Sequence, residues 1–190
     1  MKQTLLYIFL ITTFLYAGNN ELYKVKADFY LNNHNYDLSL EYYKKLPNPD
    51  YSILNYIGFA YYCKGQFQKA VPFFLKALNL NTNKPYIYNN LGATYIKLKQ
   101  YDLAIFPLKK AIVKKKVYTK ALYNLAVALF YQRQYKKSLK YVLLAVHHNK
   151  KYVKMRFNKQ RTLIEIKRLR KQYPNDKELE KIEKKLGNLS

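Results

Sequence analysis

Residues 51–84 read YSILNYIGFAYYCKGQFQKAVPFFLKALNLNTNK, residues 85–118 read PYIYNNLGATYIKLKQYDLAIFPLKKAIVKKKVY, and residues 119–152 read TKALYNLAVALFYQRQYKKSLKYVLLAVHHNKKY. At this shift of 34 residues the small and aromatic positions coincide. Gly58 falls on Gly92 and Ala126, Ala70 on Ala104 and Ser138, and Ala77 on Ala111 and Ala145. Phe67 falls on Tyr101 and Tyr135, and Tyr61 on Tyr95 and Leu129. Within a copy the apolar residues recur at helical spacing in two runs, split by a turn. The first copy predicts a helix A from Tyr51 to about Lys64, with Asp50 as its N-cap and Leu54, Ile57, Gly58 and Tyr61 facing inward. Gly65 breaks the chain, and a helix B follows from Phe67 to about Leu80, burying Phe67, Ala70, Phe74 and Ala77.

The second copy starts on Pro85, a residue suited to a first helical turn. It carries Tyr88, Leu91, Gly92 and Tyr95, then Tyr101, Ala104, Leu108 and Ala111. The third carries Leu122, Leu125, Ala126 and Leu129, then Tyr135, Ser138, Val142 and Ala145. The small residues let helix B approach helix A, and a large residue there would overpack the pair at a cost of about 1–3 kcal/mol. Pro72 and Pro107 each remove a backbone donor inside a B helix and predict a bend.

Upstream, Asn19–Leu46 resembles a worn copy: Ala27 in the small position of helix A, Ser39 in that of helix B, and Tyr30, Tyr36 and Tyr43 at aromatic positions. Its spacing to the next copy is shortened near Pro47-Asn48-Pro49, which cannot continue a helix. After Lys151 the small and apolar positions are taken by Arg156, Lys159 and Gln160, and the repeat stops. Thr162–Tyr173 predicts an amphipathic capping helix with Leu163, Ile166, Leu169 and Tyr173 on one side, ended by Pro174. Asn175-x-x-Glu178 predicts a capping box for a last short helix along Leu179, Ile182 and Leu186.

The small positions at this period resemble the tetratricopeptide repeat, strongly over Tyr51–Lys151 and weakly over Asn19–Leu46. The expected fold is all-α: a helix-hairpin solenoid with a degenerate first repeat at 19–50, repeats at 51–84, 85–118 and 119–152, and basic capping helices at 153–190. The resemblance further implies a concave groove, lined by the A helices, that holds a peptide or a partner's helix. Carried over position by position, the lining is Ser52, Asn55, Tyr56, Phe59 and Tyr62, then Tyr86, Asn89, Asn90, Ala93, Ile96 and Lys97, then Lys120, Tyr123, Asn124, Val127, Phe130 and Tyr131. Asn90 and Asn124 match the family's common groove asparagine, and Tyr56 replaces it in the first copy. The second groove asparagine, which in some members clamps a C-terminal carboxylate, is here Phe59, Ala93 and Val127, so that mode is not reproduced. Asparagine amides both donate to and accept from an extended backbone, and tyrosines give rigid amphipathic contact area.

The formal net charge is +24. Its source is residues 51–190, since residues 51–152 hold 18 Lys and Arg against Asp102 alone. Such a field favours an acidic or amphipathic protein partner, and alternatively an anionic membrane surface or wall polymer. The tail cations Lys159, Arg161, Lys167, Arg168, Arg170 and Lys171 are the candidate anionic-surface contacts, with a solvated helix face as the plain alternative. Nucleic-acid binding in the cytoplasm is a third alternative.

Residues 1–18, MKQTLLYIFLITTFLYAG, place Lys2 before an apolar run and a small Ala17-Gly18 pair, the order of a secretory signal peptide. The expectation is export to the periplasm or cell envelope, with an uncleaved N-terminal anchor as the alternative. Cys63 is the single cysteine, so no intramolecular disulfide forms. His147 and His148 are neighbours, which point apart on a helix, and favour the helix C-terminus over a metal. No Ser/His/Asp set, paired carboxylates or glycine-rich phosphate loop stands out in the sequence. The expectation is a non-enzymatic adaptor or scaffold with no metal, cofactor or small-molecule substrate.

Overall fold

The structure, a computed structural model, describes residues 18–156 and 159–187. Of the candidate export segment at residues 1–18, residues 1–17 lie outside the described residues. Every described element is helical: α1 (residues 18–32), α2 (Tyr36–Lys44), α3 (Tyr51–Cys63), α4 (Phe67–Leu80), α5 (Pro85–Lys97), α6 (Tyr101–Lys114), α7 (Thr119–Tyr131), α8 (Tyr135–His148), α9 (Lys150–Arg156), α10 (Lys159–Gln172) and α11 (Lys177–Gly187). The chain divides into two compact units, residues 1–82 and 83–190.

In the first unit α1 and α2 form the worn hairpin. Ala27, Ser39 and Tyr43 are buried as the small and aromatic pattern requires, and the Tyr43 hydroxyl donates to the Asp28 carboxylate. Tyr30 stacks on Tyr42 with ring centroids 5.7 Å apart. Asn35 caps α2 by accepting from the Leu38 N–H. Asp50 caps α3 through the Ile53 N–H at 2.8 Å, as its position predicted. Leu54, Ile57, Gly58 and Tyr61 of α3 and Ala70, Phe74 and Ala77 of α4 are buried between the helices. A Cβ on Gly58 would lie 2.9 Å from the Phe74 ring, so the helices meet at this glycine.

In the second unit α5–α6 and α7–α8 repeat the arrangement. A Cβ on Gly92 would meet Leu108 Cγ at 2.4 Å, a closer approach than at Gly58. Ala104, Leu108 and Ala111 of α6 join Ala121, Leu125, Ala128 and Leu129 of α7 in one buried cluster, with Tyr88, Tyr95 and Ile96 of α5 against it. Thr94 is fully buried, and its hydroxyl is satisfied by the Asn90 carbonyl at 2.7 Å. Ser138 stitches α8 to α7 by donating to the Ala126 carbonyl at 2.7 Å. Helices α4 and α6 continue through Pro72 and Pro107.

All four hairpin turns use one device. His34, Gly65, Lys99 and Arg133 have φ of 60°, 73°, 60° and 63°. In each, the residue after the left-handed one returns its N–H to a carbonyl five residues back, as Gln100 does to Tyr95 at 2.9 Å and Gln134 to Leu129 at 2.9 Å. This is the Schellman closure of a helix C-terminus, and it favours glycine because a Cβ is disfavoured at positive φ. Only Gly65 follows that preference.

The tail departs from expectation in two places. A further helix, α9, starts after the single residue Asn149, whose side chain accepts from the Tyr152 N–H at 2.8 Å. Its Val153 is buried against Leu122 and Ala145. The last helix is capped by Asp176, which accepts from the Glu178 and Leu179 N–H groups, and not by the capping box expected from Asn175. Helix α10 begins three residues before the expected Thr162. Its Ile166 is buried with Leu179 and Ile182 of α11 and Tyr135 of α8, with Phe130, Leu163 and Leu169 packed around them. The side chain of Leu186 lies outside the described residues.

Candidate functional site

The expected groove positions of the second unit fall on α5 and α7. Tyr86, Asn90, Ala93 and Lys97 follow one another by three or four residues in a stripe along α5, with Asn89 beside Asn90; Lys120, Asn124, Val127 and Tyr131 do the same on α7, with Tyr123 beside Asn124. A hydrogen bond joins the two stripes: Asn124 Nδ2 donates to Asn89 Oδ1 at 3.0 Å. That bond uses one donor of Asn124 and leaves its carbonyl oxygen over as an acceptor. Asn89 is 6% exposed, so it is mainly the buried half of this link.

Around the link the side chains differ in freedom. Tyr86 and Tyr131 are 37% and 44% exposed. Tyr131 is braced by stacking on Tyr101 at 4.6 Å. Lys97 and Lys120 are exposed, while Asn90, Ala93, Ile96, Val127 and Phe130 are half-buried. Phe130 packs into the cluster of α8, α10 and α11, which withdraws one face of it from any groove. Tyr123 is tied to the unforeseen α9: its hydroxyl donates to the Arg156 carbonyl at 3.0 Å and its ring meets Tyr152 edge-on. Burial raises the phenol pKa of Tyr123, with Tyr152 adding to it and Arg156 opposing. Burial likewise raises that of Tyr101. Both phenols stay neutral donors at ordinary pH. Tyr152 and Arg156 are therefore neighbours of the site that the repeat pattern missed; Asn149, a cap-type residue just before them, was the available signal.

The first unit carries the matching stripe on α3. Tyr56 and Phe59 are 36% and 38% exposed, Asn55 is buried, and Ser52 and Tyr62 are half-buried. Tyr56 stacks on Tyr43 at 6.0 Å and Tyr62 meets Phe67 edge-on.

The candidate anionic-surface residues sit on α10. Arg168 pairs with Glu165, and Arg170 with Glu183 at 2.6 Å, so two of these cations already have carboxylate partners. Lys167 and Lys171 are exposed. The side chains of Lys159 and Arg161 lie outside the described residues. His147 and His148 are exposed in the last turn of α8, where a cation complements the helix dipole. Among the described residues no group of three or more His, Cys, Asp or Glu converges as a metal site would require. Also among the described residues, no helix is long and apolar enough to cross a membrane.

Hairpins of this length, meeting at glycine or alanine and closed by one kind of turn, define an all-α helical-hairpin solenoid. Within it, residues 58–99 match the family model described as TPR repeat. Solved structures with this fold include MamA, residue 41 to the end, from Desulfovibrio magneticus RS-1, with a TM-score of 0.71, 24% identity, and coverage of 90% of this chain and 94% of that one. YrrB, described as a TPR protein with an unusual peptide-binding site, gives a TM-score of 0.64 at 16% identity over 69% of each chain. The first TPR of Spaghetti (RPAP3), bound to the HSP90 peptide SRMEEVD, gives 0.53 at 17% identity over 73% of this chain and 90% of that one. At these identities the likeness is one of fold. A search of curated proteins finds no match.

Proposed function

We propose that this chain is a non-enzymatic adaptor that holds a peptide, or a segment of a partner protein, on its A-helix faces. The observation that carries the proposal is the Asn89–Asn124 hydrogen bond, which sets the stripes of α5 and α7 side by side. It places an amide acceptor between exposed Tyr86, Tyr131, Lys97 and Lys120. An extended peptide can add its N–H groups to that amide, lay apolar side chains on the tyrosines and offer carboxylates to the lysines. YrrB, described as having a peptide-binding site, and the first TPR of Spaghetti, bound to a peptide, share this fold and support peptide binding as its use. Helices α5 and α7 themselves carry no carboxylate, and their exposed lysines favour an acidic or amphipathic ligand.

The test selects ligands for the intact chain from a displayed peptide library and then compares variants. Tyr86→Ala/Tyr131→Ala and Lys97→Ala/Lys120→Ala should each weaken the selected peptides by about tenfold or more, since aromatic and cationic anchors at interfaces carry more than 1 kcal/mol each. All four side chains project outward, so the fold should survive. Unchanged affinity in both variants, or a selection that yields no ligand, would overturn the proposal.

We place this adaptor outside the cytoplasm, in the periplasm or cell envelope. The support is the order of Lys2, the apolar run from Leu5 to Tyr16, and Ala17-Gly18. Sequencing the N-terminus of the mature protein should find Gly18 first; soluble cytoplasmic protein beginning at Met1 would refute export.

A further inference from the structure

The B helices of the second unit turn a different face outward. In the repeat register Leu103 of α6 corresponds to Lys137 of α8, and Phe106 corresponds to Lys140. The next two pairs reverse the assignment: Lys109 corresponds to Leu143 and Lys110 to Leu144. All eight side chains are exposed, with Phe106 at 66%, Leu103 at 53%, Leu143 at 52% and Leu144 at 37%. The face is thus a checkerboard in which two large apolar residues and two lysines on each helix exchange places from one repeat to the next.

Two hollows run along this face. One, of about 520 Å³, has Ile105 and Leu129 beneath Lys109, Lys137 and Lys140. The other, of about 410 Å³, lies among Lys136, Leu139, Lys140, Leu143 and Leu144. No carboxylate lines either. Asp102 is the single acidic residue between 83 and 152, and its carboxylate is engaged by the Gln132 amide at the hairpin end. Among the described residues none of Lys109, Lys110, Lys137 and Lys140 is in an ion pair. Lys110 lies over the Phe106 ring at 5.5 Å, and Lys137 donates to Gln134 Oε1 at 2.9 Å.

The interleaving decides what covers such a face. An amphipathic partner helix segregates its apolar stripe from its charged rows, and laid here its stripe would meet lysines. The surface of an anionic bilayer is laterally fluid. A phosphate can stand wherever a lysine is, and the glycerol and upper acyl region can take the apolar side chain beside it. Lysine stems are long enough to let the neighbouring apolar group enter while the ammonium stays at headgroup level. Exposed apolar groups beside unpaired basic ones are the signature of an interfacial surface.

We infer that the outer face of α6 and α8 docks on a bilayer rich in anionic phospholipid, with Leu103, Phe106 and Leu143 entering shallowly and Lys109, Lys110, Lys137 and Lys140 at the phosphates. This surface is on the B helices and does not depend on the peptide face of the A helices.

The experiment is co-sedimentation of the full chain with vesicles of phosphatidylcholine alone and of equal parts phosphatidylcholine and phosphatidylglycerol. The expected result is binding to the second only, weakened as salt is raised. Two variants locate it. Phe106→Ser/Leu143→Ser and Lys109→Gln/Lys140→Gln should each reduce the partition coefficient by about tenfold or more. Circular dichroism and the thermal midpoint should stay at wild-type values, because the substituted groups are exposed. Failure of the wild type to bind anionic vesicles would overturn the inference, as would binding by both variants equal to wild type, which would assign the lipid contact elsewhere, for instance to the apolar run at residues 5–16. Loss of poly-glutamate or oligonucleotide retention in the lysine variant, without any lipid binding by the wild type, would replace the bilayer with an acidic protein or a nucleic acid.

Discussion

Two serines hold the same place in different hairpins. Ser39 in the first and Ser138 in the last stand where the other two hairpins have Ala70 and Ala104. The Ser138 hydroxyl donates to the Ala126 carbonyl, whereas the Ser39 hydroxyl is buried with no partner among the described residues. A buried polar group left unsatisfied costs about 1–3 kcal/mol, and a satisfied hydrogen bond contributes about 1 kcal/mol net. Ser39→Ala should therefore raise the unfolding free energy by about 1 kcal/mol and Ser138→Ala should lower it by a similar amount. Denaturant midpoints at unchanged m-value measure both, and equal destabilisation would contradict the assignment. Asn89 shows where sequence stops at this scale. Residue type and helical phase put it on the A-helix stripe, but whether its amide met solvent or a neighbouring amide depended on Asn124 of another helix. The bond between them makes Asn89 a strut and leaves the adjoining tyrosines as the accessible surface.

At the scale of elements, the contact between the two helices of a hairpin follows a rule of volumes. Gly58 faces Phe74, Gly92 faces Leu108, and the same register pairs Ala126 with Val142. As the helix A residue gains a methyl group, the helix B residue shrinks. Gly92→Ala would gain about 1 kcal/mol of helix propensity but place a Cβ at 2.4 Å from Leu108 Cγ. Overpacking of this kind costs about 1–3 kcal/mol. We expect a net loss for the single variant and recovery in Gly92→Ala/Leu108→Val, which copies the third hairpin. A thermodynamic cycle should give a favourable coupling of about 1 kcal/mol or more, the range found for residues in contact; additivity would show that the two do not share the space. Elements with this signature were legible beforehand, including the worn first hairpin, because Ala27, Ser39 and Tyr43 keep the pattern despite the shortened spacing. Helix α9 was not, since Lys150–Arg156 carries no small residue to mark a close approach, and its one buried side chain, Val153, is set by the neighbouring Leu122 and Ala145. The last cap was misplaced by one residue because Asn175 and Asp176 are both cap-type residues and only the path of the backbone after Pro174 selects between them.

For the molecule as a whole, the repeat settles the interior and leaves the exterior unspecified. The buried small and apolar positions recur through three copies, while the outward positions of α6 and α8 trade lysine for leucine or phenylalanine without disturbing them. Composition sets the sign of the surface charge, but not which cations keep carboxylate partners; among the described residues Arg168 and Arg170 on α10 have them, and the four checkerboard lysines on α6 and α8 do not. The hairpin turns carry one last consequence. A protease that cuts after lysine or arginine finds 35 such residues in this chain, two of them, Lys99 and Arg133, at turn tips in a left-handed conformation. Substrates enter protease clefts extended, and a turn pinned by its own backbone hydrogen bonds does not extend until the helices on either side fray. When cleavage is slow relative to reclosing, the cutting rate at each tip reports how often that hairpin opens. The same residues that make the chain basic thus make it a record of its own local unfolding, hairpin by hairpin.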